Sequence, residues 1–199
     1  GKLMVRGGDS REAQTFIDEM HVLSPYTYTP ENSAARGRYS PFLFEGINFS
    51  SGGFSSDYSQ SLSSVLPLTT KDESPVTKIG VSLLSVGMGG GGTKAWANSS
   101  LSFNGDYQNI GPYNKLFPDS YDWINPYQRI SGESQFRKTL ANKGIWKTYL
   151  AYDRTSFAQR TSEAFNPINR RMDFEEDNLY LNSTFRKTLG KGYKFFSGV

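Results

Sequence analysis

Three stretches of this chain alternate strictly enough to dictate extended backbone. From Ala97 to Tyr107 the odd positions carry Ala97, Ser99, Leu101, Phe103, Gly105 and Tyr107, and the even ones Asn98, Ser100, Ser102, Asn104 and Asp106. From Ile145 to Arg154, Trp146, Leu150 and Tyr152 share a face opposite Lys147 and Asp153. From Leu179 to Leu189, Leu179, Leu181, Phe185 and Leu189 oppose Tyr180, Asn182, Thr184, Arg186 and Thr188. Neighbouring side chains in a strand point to opposite faces, so each stretch predicts a β-strand with one apolar and one wet face. Weaker candidates at Thr77 to Val86, Ser134 to Leu140 and Tyr193 to Val199 bring the expectation to about six strands.

Connection lengths alternate as well. Short turns are expected at Gly87 to Gly92, Asn142 to Gly144 and Gly190 to Gly192, where glycine supplies positive φ. Long polar loops are expected over Gln108 to Gly132 and Ala158 to Glu176. An antiparallel up-and-down meander with short turns on one side and long loops on the other fits a transmembrane β-barrel. A soluble up-and-down β protein shows the same period, and periodicity leaves both open.

Composition excludes several classes. The 199 residues are 15% aromatic with 20 glycines, as in a mainly β chain with tight turns. Hydrophobic content is 36% and mean hydropathy is −0.55. No apolar run approaches the ~18 to 20 residues of a spanning helix. Cysteine is absent, which removes disulfides, thiolate catalysis and cysteine-ligated zinc. The formal charge is +3, but Lys and Arg are scattered among acids, so no nucleic-acid partner is expected.

The first third reads differently. Short apolar pieces at Leu3 to Val5, Thr15 to Ile17, Phe42 to Phe49 and Ser64 to Thr69 lie between polar, Gly-rich or Pro-rich connections, which suits a small α+β unit. Ser24 to Pro41, with three prolines, is expected to be a long loop. The change of pattern after "KDESP" sets a boundary, with 1–73 in one unit and 74–199 in the other.

Here the residues become recognisable. "GGFSSDYSQSLSSVLPLTTKD", with a Gly-rich turn, a Tyr, small residues and a strand closing on Thr-Thr-Lys, resembles the end of the plug domain of TonB-dependent outer-membrane receptors. "LMVRGGDSREAQTFIDEMHVLSPY" resembles the same plug's Val-Arg-Gly-Gly strand and Ile-Asp-Gly strand end, and "GRYSPFLFEGINFSSGG" joins the two in the manner of the Bacteroidetes branch. The likeness runs from Leu3 to Asp72 in order. It implies the C-terminal part of a plug followed by the first strands of an outer-membrane barrel: a piece of a transporter. Arg6, Gly7, Gly8, Asp18, Gly52, Gly53 and Tyr58 would be the plug's structural motif, with Arg6 and Asp18 in plug-internal ion pairs. There are departures. Glu19 stands where the family usually has Gly, and Ser56, Asp57, Ser59 and Ser61 where Ala, Glu, Gly and Ala are common. Pro67 would place the last plug strand at an edge.

The resemblance further implies a receptor in the bacterial outer membrane that binds and imports a scarce solute: a siderophore, glycan, cobalamin or peptide. Its partners would be that solute, membrane lipid, and TonB through a segment N-terminal to this sequence. No cofactor, metal or enzymatic activity is expected. Tyr26, Tyr28, Arg36, Arg38 and Tyr39 would contact solute from plug-apex loops, and Trp123 and Tyr127 from the long loop. Trp146 and Tyr152 read as an interfacial girdle. The alternative is a stand-alone soluble β-rich binding or assembly module. Either way, an open sheet would need its apolar face covered, by folding onto the plug-like half or by self-association.

Other chemistry is weak. His21 is the only histidine and no G-x-S-x-G elbow accompanies it, so it reads as an ordinary surface or hydrogen-bonded side chain. "GMGGGGTK" lacks Walker spacing and reads as a flexible hairpin turn. "DFEED", Asp173 to Asp177, fits no EF-hand and reads as a solvated loop balanced by Asn169 to Arg171.

Overall fold

The computed structural model describes residues 12–30, 36–47, 49–50, 58, 61, 64–72, 76–141, 143–163, 166–190 and 193–199. Among the described residues the chain is mainly β, with antiparallel sheets and one short helix. The first part forms β1 (Ala13–Ile17), β2 (Met20–Val22), β3 (Tyr26–Thr27), β4 (Arg36–Gly37), β5 (Phe44–Ile47) and β6 (Ser64–Thr70). Four of these make a sheet in the order β2-β1-β6-β5, in which β1 and β6 run parallel with Thr15 opposite Leu66. The expected loop from Ser24 to Pro41 holds the two-residue ladder of β3 and β4, and a 3-10 turn follows at Pro41–Leu43.

One detail of this sheet corrects the sequence reading. Pro67 lies in β6, an interior strand, and not at an edge. Val65 and Lys71 both send their N–H toward the β5 side, to Ser50 and Leu43, so the N–H that Pro67 lacks falls on that side too. β5 ends at Ile47, opposite Leu68, so Pro67 lies just past the end of that ladder, where an interior strand tolerates proline. The β1–β2 turn keeps its positive φ without glycine, at 48° for Asp18 and 69° for Glu19. Ile17 pairs with Met20 across these two residues, and a two-residue hairpin demands that geometry.

The second part is one seven-stranded antiparallel meander, one strand more than expected. It comprises β7 (Lys78–Leu84), β8 (Gly87–Ala95), β9 (Ser99–Asn109), β10 (Asp122–Thr139), β11 (Ile145–Glu163), β12 (Asn166–Gly190) and β13 (Tyr193–Gly198). The glycine run is therefore a strand, not a turn, and the chain reverses at Ser85 and Val86 instead. Most of the expected loop over Gln108 to Gly132 is strand, leaving the helix α1 (Gly111–Leu116) and the residues up to Tyr121 between β9 and β10. The other expected loop, Ala158 to Glu176, is in its described residues the paired upper part of β11 and β12, in register as far as Thr161 opposite Arg170, with a shift before Glu163 meets Asn166. Polar composition misled there, because backbone pairing does not need apolar side chains when a neighbouring strand supplies every partner.

The faces of this sheet are used in an unusual sense. The wet face is the buried one: Arg129, Ser131, Glu133, Gln135 and Arg137 of β10 are all buried, as are Lys147, Asp153, Thr155 and Gln159 of β11. The apolar face is the exposed one, with Leu101, Phe103, Ile130, Leu150, Tyr152, Leu179 and Leu181 open to the surroundings. The small unit sits against the wet face. Covering of the apolar face by the first third of the chain, one of the two expected outcomes, is thus overturned. A core does form between the units, where Ile17, Val22, Leu43, Phe44 and Leu68 meet Tyr149 and Ala151.

Candidate ligand-facing site and its supports

Side chains of β10, β11 and β12 reach across to the small unit through hydrogen bonds and ion pairs. Arg38 is the densest node. Its Nη1 donates to both carboxylate oxygens of Asp153, at 2.7 and 2.6 Å, and its Nη2 to Glu176 at 3.1 Å. Nε and Nη2 also donate to the carbonyls of Ser24 and Tyr26. In return Arg129 donates to the Arg38 carbonyl at 2.7 Å, and Glu133 accepts the Ser40 N–H at 2.7 Å. Burial weakens the Arg38 charge, but the Asp153 and Glu176 carboxylates outweigh it and hold the guanidinium pKa above its ordinary value.

The second node lies at the other end of the contact. Lys147 donates to the Thr70 carbonyl at 2.7 Å, reaches Asp18 at 3.4 Å and pairs with Asp72, which also pairs with Arg186. Asp18 accepts the Thr70 N–H at 2.9 Å and the Thr70 hydroxyl. Asp18 therefore reaches out of the small unit to the large sheet. It pairs there with Lys147, while Arg6, with which a plug-internal ion pair was expected, lies outside the described residues. Asn182 adds a bond to the Ile17 carbonyl at 3.0 Å. Burial lifts the Asp72 pKa, but Lys147 and Arg186 overcome it and leave the carboxyl below its usual value.

Above the Arg38 node, aromatic rings gather on the inner face. Tyr28 stacks on Phe174 with ring centres 4.3 Å apart and 17° between planes. Phe174 stacks on Phe157 at 5.2 Å, and Tyr127 lies 6.1 Å from Phe157. Trp123 meets Phe157 edge-on at 6.2 Å and Tyr121 at 5.2 Å. The Trp123 indole N–H is held by Asp119 at 3.0 Å. Tyr28 is 49% exposed, so its ring presents an open aromatic surface beside the half-buried Trp123.

Three of the expected solute-contacting residues, Tyr28, Trp123 and Tyr127, are thus brought together, although Trp123 and Tyr127 stand on β10 and not in a loop. The others do not join them. Arg38 is spent on its carboxylates and carbonyls. Tyr39 packs edge-on against Tyr149 and Tyr180 at 6.1 and 5.7 Å, and burial, then the nearby Tyr180, push its phenol up. Tyr26 is half-buried beside Arg38, and burial raises its phenol too. Arg36 is exposed on β4. Of the plug motif, Tyr58 packs edge-on against Phe16 at 4.9 Å. Arg6, Gly7, Gly8, Gly52 and Gly53 lie outside the described residues.

Phe157 and Phe174, the centre of the ring cluster, were missed. Continuing the odd face of β11 from Lys147 and Asp153 places Phe157 on the wet side, an aromatic out of character with its face. "DFEED" also hid Phe174, since only its charges drew notice. That segment is strand, and alternation divides its acids: Asp173, Glu175 and Asp177 point outward to Arg171, Arg154 and Tyr152, while Glu176 points inward to Arg38. His21 is exposed beside Phe16, with ring centres 5.4 Å apart. Compared with protein families, curated proteins and solved structures, the chain matches none.

Proposed function

We propose that this chain is the end of a plug domain joined to the first strands of an outer-membrane barrel, in a TonB-dependent receptor that binds and imports a scarce solute. The observation that carries this reading is the inverted sheet. A large sheet that buries Arg129, Glu133, Lys147 and Asp153 and exposes Leu101, Leu150 and Leu181 suits a wall with lipid outside and a polar filling inside.

The outward face also changes character along its length. On β12, Leu179, Leu181, Phe185 and Leu189 face outward, and above them stand Asp177, Glu175, Asp173 and Arg171. Ten residues of strand cover about 33 Å at ~3.3 Å each, and about 25 Å along the membrane normal for a strand tilted near 40°, which is the height of a barrel's apolar band. Lys187 lies near the lower end, where its stem reaches headgroups. Tyr152 stands at the upper boundary with its hydroxyl on Asp177 at 2.6 Å, as a girdle residue would.

β7 and β13, the outer strands of the meander, run the same way because seven is odd. An antiparallel ring built on this sheet therefore takes an odd number of further strands. Within such a wall the rings around Phe157 lie above the small unit on the inner side, and a solute arriving from that end meets Tyr28 and Trp123 first.

The test is labelling in cells that make the natural protein. Leu181→Cys should resist a water-soluble maleimide in the outer-membrane fraction, while Glu175→Cys reacts. Equal labelling of both, with the protein outside the membrane fraction, would replace this reading with the soluble module.

A further inference from the structure

Four successive glycines, Gly89–Gly92, pass through β8 opposite Phe103 to Asp106 of β9. They present no side chains to the inner face, and the small unit does not fill the gap. A cavity of about 360 Å³ remains, bounded by Phe42, Leu43 and Lys71 on one side and by Lys78, Gly80 and Asn104 on the other. Its size falls in the range of small-molecule sites.

Part of this gap is obligatory. A Cβ on Gly91 would stand 2.7 Å from the Phe103 carbonyl oxygen and 2.9 Å from Asn104 Oδ1, so the strand packs this closely only with glycine. Gly80 is different, because a Cβ there meets nothing within 4 Å. The space in front of it is open.

The cavity lining has one sign of charge among its described residues. Among the described residues around it, Lys71 and Lys78 are the charged groups, and no carboxylate joins them. The Lys71 ammonium donates one bond to the Phe42 carbonyl at 2.7 Å, which fixes the head near the cavity and leaves two of its three donors. Asn104 adds an amide, and Phe42 and Leu43 an apolar wall.

We propose that this cavity binds a small organic anion, a carboxylate or phosphate group carried on an apolar body. The two ammonium groups take the anionic head by charge-assisted hydrogen bonds, and Phe42 with Leu43 covers the body. The site is separate from the ring cluster around Phe157 and belongs to the chain whether or not a membrane surrounds it, so its failure would leave the receptor reading standing.

The whole chain in neutral maltoside micelles, titrated calorimetrically with benzoate and phenyl phosphate, tests the site. Benzyl alcohol and benzylamine serve as neutral and cationic counterparts of similar size. Both anions should bind, with the alcohol at least about tenfold weaker and the amine not at all. Lys78→Gln and Lys71→Gln should each weaken the anions about tenfold, the scale of one hydrogen bond to a charged group. Gly80→Leu should abolish binding by filling the space, whereas Lys94→Gln, on the outer face, should leave it unchanged. Equal affinity for benzyl alcohol, absence of anion binding to the unmodified chain, or full affinity in a folded Gly80→Leu would overturn the proposal. Should Gly80→Leu not fold, the exposed Lys78 decides: unchanged anion affinity in Lys78→Gln overturns it.

Discussion

Arg38 on the small unit and Asp153 on β11, 115 residues apart in sequence, meet through a single guanidinium nitrogen that donates to both carboxylate oxygens while both side chains are buried. A buried ion pair gives little net stability, because desolvation consumes most of its Coulomb energy, but breaking one partner leaves the other charge stranded. Its role is therefore to specify how the two units meet.

Removal of one partner should be costly. Arg38→Met is expected to lower stability by about 3 to 5 kcal/mol, and Arg38→Met with Asp153→Leu to recover much of that loss. Urea unfolding of the single and double variants checks it. A double variant as unstable as the singles would show that the contact depends on more than charge compensation.

Acid should loosen the Lys147 node through Asp72. The Asp72 pKa is depressed in the folded chain, so its contribution is present above the unfolded value of 3.8 and is lost as pH falls below that toward the folded value. Asp72→Asn, expected to cost about 1 to 2 kcal/mol at pH 7, should remove this dependence. Unfolding midpoints measured between pH 5 and pH 2.5 should converge for the two proteins at the acid end. A constant gap would place the acid sensitivity elsewhere.

The turn at Asp18 and Glu19 stores strain, since a side chain at φ 69° crowds the following carbonyl. Glu19→Gly should stabilise the chain by about 1 kcal/mol despite glycine's greater freedom when unfolded. A lower thermal midpoint in this variant would show that Glu19 makes a contact worth more than the strain.

Proteolysis distinguishes the observed connections from those read in the sequence. Polar composition marked Ala158 to Glu176 as a loop, yet its backbone is paired across β11 and β12. The residues from Ile110 to Tyr121 are the better target, and Lys115 within them is exposed. Trypsin should cut after Lys115 before Arg160 or Arg171. Early cleavage at Arg160 would mean that the upper hairpin opens in solution.

What the sequence revealed and what it hid follow one rule. Alternation is local, so the strands containing Leu101, Leu150 and Leu181 were visible, as were their two faces. Which face is buried is a property of what lies against it, and no period reports that. For the same reason Arg38 looked like an exposed ligand contact: Asp153 and Glu176 reach it only after the sheet is built. Gly89–Gly92 misled because glycine's freedom to turn is shared with its ability to sit where two strands leave no room for a Cβ.

The medium should decide the sign of a charge placed on the outer face. Leu150 and Leu181 are direct cross-strand neighbours on that face, and both are exposed. In water, Leu150→Arg removes apolar surface that gains nothing from solvent, so it should leave stability within about 0.5 kcal/mol and raise solubility. In a bilayer the same arginine displaces a lipid contact with a charge, at a cost of up to about 2 to 4 kcal/mol at the middle of the apolar band and less toward its edges. Unfolding of Leu150→Arg measured in lipid vesicles and in detergent-free buffer separates the two environments. A penalty confined to vesicles follows if the face is built for lipid. A comparable penalty in buffer would mean that another protein surface, such as a second copy of this chain, covers Leu150 and Leu181, and the apolar band would then be an interface between chains.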